Sequence, residues 1–201
     1  DHIFMSSKFK RSALGARVPH EKKTSGMATV AMPLPEKIVL PMQQHIGAPC
    51  KPLVQKGDTV KAGQKIGEPV GFVSAAVHAS ISGKVVDVLP CIVANGTQVN
   101  AVVIDNDFQD TWVELHPVAD PENLNAKELA DLCREMGIVG MGGATFPTAV
   151  KLSVPEGKKV DTLVINGAEC EPYLSADHRL MLEKSEEIVQ GIEIVRRALS
   201  I

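Results

Sequence analysis

The chain has 201 residues, of which 44% are hydrophobic and only 3% aromatic, and its formal net charge is −3. This length allows one or two domains with a sizeable core, and the near-balanced charge gives no case for a nucleic-acid partner. No apolar run reaches the roughly 18–20 residues needed to span a bilayer, and the start lacks the apolar core of a secretory signal. We therefore expect a soluble chain that reaches a membrane only through partner proteins.

Residues 1–34 have a basic character and no hydrophobic periodicity. Ser, Gly and Ala separate the charges, which is typical of segments that cannot bury a core. We expect a disordered leader. A basic arm on anionic lipid is the alternative, but no amphipathic period supports it. The basic residues are Lys8, Lys10, Arg11, Arg17, Lys22 and Lys23.

Residues 35–116 alternate short β-branched segments with turn signals, which predicts a small all-β sandwich or barrel. The arrangement resembles the biotinyl/lipoyl-type hammerhead, or barrel-sandwich hybrid. Such carriers display a modifiable lysine on a hairpin tip, but the matching residues 70–76 contain no lysine. We therefore expect a structural or docking module rather than a carrier of acyl or carboxyl groups. The predicted strands lie within residues 37–42, 52–67, 77–88 and 99–107.

The four cysteines are far apart in the sequence, at positions 50, 91, 133 and 170. Iron–sulfur and zinc ligands usually occur in close local pairs or triplets, and the sequence contains no such group. We therefore expect reduced cysteines and no metal site. Cys170 has no partner thiol and hence no expected redox role.

Residues 117–201 have the pattern of a second domain, with helices around one short strand. A helix is expected after Asn123 or Asn125, either of which can cap it. The β-branched run at residues 160–165 predicts a buried strand. The other expected elements are a short helix after Pro147, a turn capped by Ser175 and a final helix capped by Ser185.

A glycine-rich segment, residues 137–148, precedes this short helix, and Lys151 follows it. Glycine suits backbone that a ligand must approach closely, and proline suits the first position of a helix. The pattern therefore predicts a turn leading into a helix N-terminus, which is favourable for an anionic phosphate. An ordinary helix–helix loop is the alternative, and the spacing matches neither the dinucleotide fingerprint nor the ATP-binding loop. The four glycines are Gly137, Gly140, Gly142 and Gly143.

An acidic corner, residues 166–173, follows the predicted strand. It offers an amide, Asn166, and two carboxylates, Glu169 and Glu171. Ligands of α/β sheets bind beyond the carboxyl ends of strands, and carboxylates accept hydrogen bonds from ribose hydroxyls or a carboxamide. A solvated acidic turn is the alternative. Together with the glycine segment, the corner favours a nucleotide-binding site.

Residues 140–148 followed by 166–179 resemble the RnfC component of the Rnf complex, a membrane-bound ferredoxin:NAD oxidoreductase that drives ion translocation. More distantly they resemble the flavin-bearing, NADH-oxidising subunit of respiratory complex I. The resemblance covers most of residues 35–201. It implies an α+β fold of two domains: a barrel-sandwich hybrid at 35–116, then the start of an α/β, Rossmann-like FMN/NADH-binding domain at 117–201.

The resemblance also implies roles for individual residues. The main chain at Gly140, Gly142 and Gly143 would approach the FMN phosphate and ribityl chain. Lys151 and Asn166 would contact the flavin. Glu169 and Glu171 would line the NADH face, with Glu171 toward the nicotinamide half.

Three residues depart from the complex I pattern. Met141 stands where an arginine is usual, Thr145 where a glycine is usual, and Ala168 where an aspartate is usual. The Rnf-type pattern accommodates these residues better. We expect altered turn geometry at Thr145.

The function implied by the resemblance is electron transfer between ferredoxin or iron–sulfur clusters and NAD(H) through bound FMN. Two 4Fe-4S clusters are expected only in a continuation beyond residue 201, so this piece alone is expected to be inactive. The expected partners are the other Rnf subunits and ferredoxin, at the cytoplasmic face of the inner membrane. A soluble flavin-dependent cobalamin reductase and a non-catalytic assembly module are the alternatives.

Overall fold

The computed structural model describes residues 18–201, and the basic residues at positions 8, 10, 11 and 17 lie outside this range. Within residues 18–201 the chain forms seven strands and then four α-helices, with a short 3-10 helix at Pro121–Asn123. The strands are β1 (Lys37–Pro41), β2 (Lys51–Pro52), β3 (Thr59–Val60), β4 (Lys65–Glu68), β5 (Val77–His78), β6 (Gly83–Ile92) and β7 (Gln98–Asn106). The helices are α1 (Ala126–Glu135), α2 (Thr148–Leu152), α3 (Ala176–Glu183) and α4 (Ser185–Ala198).

The seven strands form two antiparallel sheets, called the β-domain below. One sheet has the order β1-β7-β6-β3, and the other has the order β2-β4-β5. Register follows the period-2 pattern, since Ile38 faces Ile104 and Leu40 faces Val102 across the β1–β7 pair. All the predicted β segments contain strands, although most of those strands are shorter than the segments.

One apolar core fills the β-domain. Val102 and Ile104 of β7 are fully buried there, as is Val85 of β6. Alternate residues of a strand point to opposite faces, so the β-branched side chains of these segments meet on one side. The other buried members are Met42, Cys50, Val60, Ile66, Val77, Ala79 and Ile81.

Helix α1 begins as the sequence predicts. Asn125 is its N-cap, its side chain accepts a hydrogen bond from the Glu128 N–H, and the Glu128 carboxylate accepts one from the Asn125 N–H. This reciprocal capping box satisfies two main-chain donors. Leu129, Ala130 and Cys133 of α1 then pack in a second small core. Its other buried members are Ala149 and Leu152 of α2 and Ala198 of α4.

The strand predicted at residues 160–165 is not formed. This segment has no regular secondary structure, and Val164 and Ile165 are 80% and 54% exposed. A strand needs a neighbour to bond its N–H and C=O groups. Residues 117–201, all of which are described, contain no other strand that could pair with it. A Rossmann-like arrangement is therefore not confirmed.

The residues divide into two compact units that differ from the sequence-based domain boundaries. The large unit contains residues 31–164 and 186–201, and the small unit contains 165–185 with the described part of 1–30. Residues 18–30 thus belong with a segment more than 130 residues away, instead of forming a leader without contacts. None of the helices in the described residues is long and apolar enough to cross a membrane.

The end of α1 is joined to the β-domain at the hairpin tip that carries lysine in biotinyl and lipoyl carriers. The Ala76 N–H donates to the Arg134 carbonyl at 2.9 Å, and the Arg134 guanidinium donates to the carbonyls of Gly71 and Phe72. Gly137 follows with φ +70°, and a Cβ there would lie 2.3 Å from the Ala76 oxygen. The tip is therefore occupied by an internal contact.

We expect Gly137→Ala to lower the free energy of unfolding by about 2–5 kcal/mol, because it adds a left-handed backbone penalty and a steric clash. Gly96→Ala is the control, since Gly96 has φ +82° but a Cβ there meets nothing within 4 Å. It should cost only about 1–2 kcal/mol. Urea denaturation of both variants measures the difference, and equal losses would contradict the clash.

Candidate functional site

The glycine loop, residues 140–146, is closed by backbone hydrogen bonds. Val139 and Pro147 form an antiparallel bridge, in which the Gly140 N–H donates to the Phe146 carbonyl at 2.9 Å. Inside the loop, the Thr145 N–H donates to the Gly142 carbonyl at 3.2 Å. The path of the loop is therefore fixed by its main chain.

Four successive N–H groups of this loop, at residues 141–144, have no hydrogen-bond acceptor within residues 18–201. All four residues are exposed, and the Met141 side chain is 95% exposed. Consecutive free N–H groups in a tight turn can form an anion-binding concavity. The loop therefore offers main-chain donors to a ligand.

The fold alone does not require glycine at every position of the loop. Gly143 has φ +55°, so its conformation favours glycine. By contrast, Gly140 and Gly142 have no positive φ, and a Cβ at Gly142 would meet nothing within 4 Å. At Gly142 the missing side chain leaves the loop surface open, whereas a Cβ at Gly140 would lie 3.5 Å from the Phe146 nitrogen, in ordinary contact.

Thr145 lies at φ +48°, which is unusual for a β-branched residue. The backbone at this position is therefore strained. The loop keeps a conformation that glycine would adopt more easily, although the side chain is threonine. The bond from the Thr145 N–H to Gly142 helps to hold it.

The expected helix N-terminus is weaker than the sequence suggests. Helix α2 has only five residues, and Pro147 is its N-cap residue instead of its first helical residue. The N–H groups of Thr148 and Val150 already donate to the carbonyls of Ile138 and Pro147. The dipole of such a short helix is small. The predicted phosphate-binding position is therefore supported by the free N–H groups of the loop and not by the helix.

Lys151 of α2 lies above the Phe146 ring, with its ammonium 5.9 Å from the ring centroid. This distance is within the range of a cation–π contact. Lys151 also lines an open groove of about 720 Å³ together with Phe72 and Lys158. Because Phe146 is the last residue of the glycine loop, this contact places the Lys151 charge next to the loop.

Part of the glycine loop also lines a pocket of about 350 Å³ within the large unit. Residues 143–145 form one wall, and residues 43–46 and 93–95 of the β-domain form the others. The His45 ring is 5% exposed; its Nε2 accepts from the Ala75 N–H at 3.1 Å, and its Nδ1 donates to the Ile46 carbonyl at 2.8 Å. These contacts hold the β-domain wall of the pocket in place.

The acidic corner is organised by hydrogen bonds of its own. The Asn166 Oδ1 accepts from the Ala168 N–H at 3.0 Å in a local turn, which leaves the amide NH₂ outside that turn. The Glu169 carboxylate accepts from the Asp177 N–H at 2.9 Å and so caps α3. Ser175, the predicted cap, makes no such bond; its hydroxyl is 2.5 Å from that of Thr24.

Residues 18–30 pack against the acidic corner, a contact that sequence reasoning missed. The Lys22 ammonium donates to the carbonyl oxygens of Glu171 and Leu174 at 2.7 and 2.5 Å. The Thr29 N–H donates to Glu183, and the Arg179 guanidinium donates to the Ser25 carbonyl. A basic run gives no local signal for such distant acceptors.

Two of the cysteines are buried, and His78 is partly buried. Cys50 and Cys133 are buried, and burial raises the pKa of both thiols, which keeps them protonated. Burial, with the nearby Lys65 ammonium, lowers the pKa of His78. Within residues 18–201, no group of three His, Cys, Asp or Glu residues could hold a metal ion.

The seven predicted site residues are divided between the two units. Gly140, Gly142, Gly143 and Lys151 lie in the large unit, close together along the loop and the helix that follows it. Asn166, Glu169 and Glu171 lie in the small unit, on the acidic corner. The first group offers main-chain donors and one cation, whereas the second offers acceptors. These are the two kinds of group that a phosphate and a sugar or carboxamide require.

Comparison with family models gives two matches along the chain. Residues 10–109 match the RnfC barrel sandwich hybrid domain, and residues 133–201 match the Nuo51 FMN-binding domain. These matches confirm the predicted succession of a barrel-sandwich hybrid and an FMN-binding domain.

The similar proteins are longer than this chain. The C component of the Na(+)-translocating ferredoxin:NAD(+) oxidoreductase complex of Acetobacterium woodii is 47% identical over 193 residues, which are 93% of this chain and 43% of that protein. The corresponding component of the proton-translocating complex of Clostridium ljungdahlii is 48% identical, over 90% of this chain and 40% of that protein. The C component of the ion-translocating oxidoreductase complex of Rhodobacter capsulatus is 46% identical, over 90% of this chain and 36% of that protein. The chain therefore spans about two fifths of these relatives.

We expect Glu169→Ala to loosen the start of α3, since it removes the acceptor of the Asp177 N–H. Amide exchange at residues 176–178 should accelerate about fivefold, the factor for a cap worth roughly 1 kcal/mol. Glu171→Ala is the control, because the Glu171 contact with Lys22 uses its main-chain oxygen. Hydrogen-exchange mass spectrometry measures both, and equal acceleration in the two variants would contradict this role of Glu169.

Proposed function

Because the chain belongs to the RnfC family of oxidoreductase-complex subunits, we propose that it binds FMN and NAD(H) and passes electrons between NAD(H) and ferredoxin. The glycine loop provides the FMN contacts, and the acidic corner provides the dinucleotide contacts. The clusters that complete the path, two of the 4Fe-4S type, belong to a segment beyond these 201 residues. The other subunits of the complex and ferredoxin are its partners, and it meets the cytoplasmic face of the membrane through them.

The observation that carries this proposal is the row of free N–H groups at residues 141–144. It lies inside the region that matches the FMN-binding domain. A phosphate accepts several hydrogen bonds at once, and successive main-chain donors suit it. The open space at Gly142 lets the ligand approach these donors directly. The residues present therefore fit the FMN phosphate and the start of its ribityl chain.

Lys151 and Asn166 add the polar side chains of the FMN site. The Lys151 ammonium, held over the Phe146 ring, supplies a positive charge that favours an anionic cofactor. The Asn166 amide NH₂ lies outside its local turn and can donate to a flavin carbonyl. Neither residue acts as a nucleophile or as a general acid.

The two carboxylates of the acidic corner have different tasks. One oxygen of Glu169 caps α3, so Glu169 holds the corner in shape and has only its other oxygen for a ligand. Glu171 is exposed, and its side chain is not used in the Lys22 contact. We assign Glu171 to the hydrogen-bond donors of the nicotinamide half of NADH.

Bound FMN supplies the redox chemistry, exchanging a hydride with NAD(H) and single electrons with clusters. The chain itself binds and orients. The loop fixes the phosphate end through donors that cannot rotate, and the carboxylates accept from the dinucleotide. A soluble cobalamin reductase would use the same flavin contacts, but the named relatives are subunits of ferredoxin:NAD(+) oxidoreductase complexes.

We expect Gly142→Val to weaken FMN binding at least tenfold, about 1.4 kcal/mol. The branched side chain would fill the space in front of the free N–H groups while meeting no protein atom. FMN released from the reconstituted intact subunit, measured by fluorescence, gives the affinity. The free energy of unfolding should change by less than about 0.5 kcal/mol.

Gly191→Val is the matched control, because Gly191 is exposed in α4 and a Cβ there also meets nothing within 4 Å. It should bind FMN like the wild type. Normal FMN affinity in Gly142→Val would remove the loop from the site. A wild-type subunit that stays colourless after reconstitution would leave the non-catalytic assembly module as the better explanation.

We expect Glu171→Gln to retain FMN but to slow its reduction by NADH about tenfold, because a charged acceptor is replaced by a weaker neutral one. Stopped-flow absorbance of the flavin under anaerobic conditions measures the rate. Glu122→Gln, an exposed change in the 3-10 helix, is the control. Equal rates in wild type and Glu171→Gln would exclude Glu171 from the dinucleotide contact.

A further inference from the structure

The small unit contains a pocket that the N-terminal segment helps to build. Residues 18–20 and Lys22 form one side, and residues 169–172 of the acidic corner form the other. The pocket has a volume of about 140 Å³, whereas sites for whole ligands usually measure roughly 300–1,000 Å³. It can therefore hold only one part of a dinucleotide.

Three contacts hold the two sides together. The Lys22 ammonium bonds the carbonyls of Glu171 and Leu174, and the Glu21 N–H donates to the Pro172 carbonyl at 3.1 Å. The Thr24 hydroxyl meets that of Ser175, which is 5% exposed. The carbonyls that Lys22 bonds lie on both sides of Pro172. Lys22 therefore fixes the main chain from which the Glu171 side chain projects.

We propose that residues 18–20 and Lys22, which line this pocket, are part of the dinucleotide site, and that Lys22 is its positioning residue. This inference rests on the proposed function, because the pocket would take a group of the dinucleotide that the acidic corner binds. The family match assigns residues 18–24 to the barrel-sandwich hybrid domain, yet their long-range hydrogen bonds go to residues 171–175. The segment thus serves the nucleotide-binding part of the chain.

The chemistry of the pocket selects the group that it binds. Its two carboxylates, of Glu169 and Glu171, only accept hydrogen bonds. Lys22 is a cation in the pocket wall. Its ammonium already donates to two carbonyl oxygens, so its charge faces the main chain. A phosphate would meet the two carboxylate charges here, and the His20 imidazole in the wall can donate to or accept from a neutral group. The pocket therefore suits a neutral donor group, either a ribose diol or a carboxamide.

The test compares Lys22→Met with Lys23→Met in the intact, FMN-loaded subunit. Both changes remove one positive charge, but Lys23 is exposed and pairs with the Glu21 carboxylate at 3.1 Å. We expect Lys22→Met to raise the Kd for NAD⁺ about tenfold in calorimetry, with FMN content unchanged. Lys23→Met should match the wild type, and Lys22→Arg should restore most of the affinity.

Two fragments of NAD⁺ distinguish whether the pocket holds the carboxamide or a ribose diol. Nicotinamide mononucleotide carries the carboxamide and one ribose, and ADP-ribose carries ribose without the carboxamide. If only the first competes with NAD⁺ and loses affinity in Lys22→Met, the pocket holds the nicotinamide end. If both lose affinity, it holds a ribose diol. Either result supports the proposal.

A purely structural role gives a different pattern. Hydrogen exchange at residues 169–174 would then accelerate in Lys22→Met while the Kd for NAD⁺ stayed unchanged, and this result would overturn the inference but not the proposed function. A wild-type subunit that binds FMN but not NAD⁺ would overturn both. If Lys22→Met does not fold, Thr24→Val gives the same comparison without a change in charge, since it removes only the hydroxyl contact with Ser175.

Discussion

The contact between the end of α1 and the hairpin tip of the β-domain determines where the glycine loop begins. Arg134 bonds this tip with both its carbonyl and its guanidinium, and Gly137 brings the chain against Ala76 where no Cβ would fit. The glycine loop begins three residues after Gly137. The tip that displays a lysine in carriers here bonds the end of α1 through its main chain.

Features that depend on nearby residues could be predicted from the sequence. The capping box joins Asn125 to Glu128, three positions apart, and the strands of the β-domain follow a period-2 pattern along their own length. The run at 160–165 has the composition of a strand as well, but strand formation depends on a partner that composition does not reveal. The described residues provide no such partner, and the segment has no regular secondary structure.

The sequence predicted the glycine loop of the candidate site better than the acidic corner. The glycines pointed to bare main chain at residues 140–143 and Pro147 to a short helix after it, but not to how little a helix of five residues adds to anion binding. At the acidic corner, Ser175 was a better local cap than Glu169, yet its hydroxyl is used by Thr24, 151 residues away. The Lys22 contact spans 149 residues. Such pairings are decided by tertiary packing, which overrides local preference.

The two parts of the proposed site differ in what holds them. Hydrogen bonds between main-chain atoms fix the glycine loop, so most side-chain changes elsewhere leave its free N–H groups in place. The acidic corner instead depends on side chains, chiefly Lys22, Thr24 and Glu169. Side chains change readily by substitution, whereas a backbone bridge does not. It follows that substitutions at Lys22, Thr24 or Glu169 act directly on the acidic corner, whereas the main-chain bonds that close the glycine loop depend on no side chain.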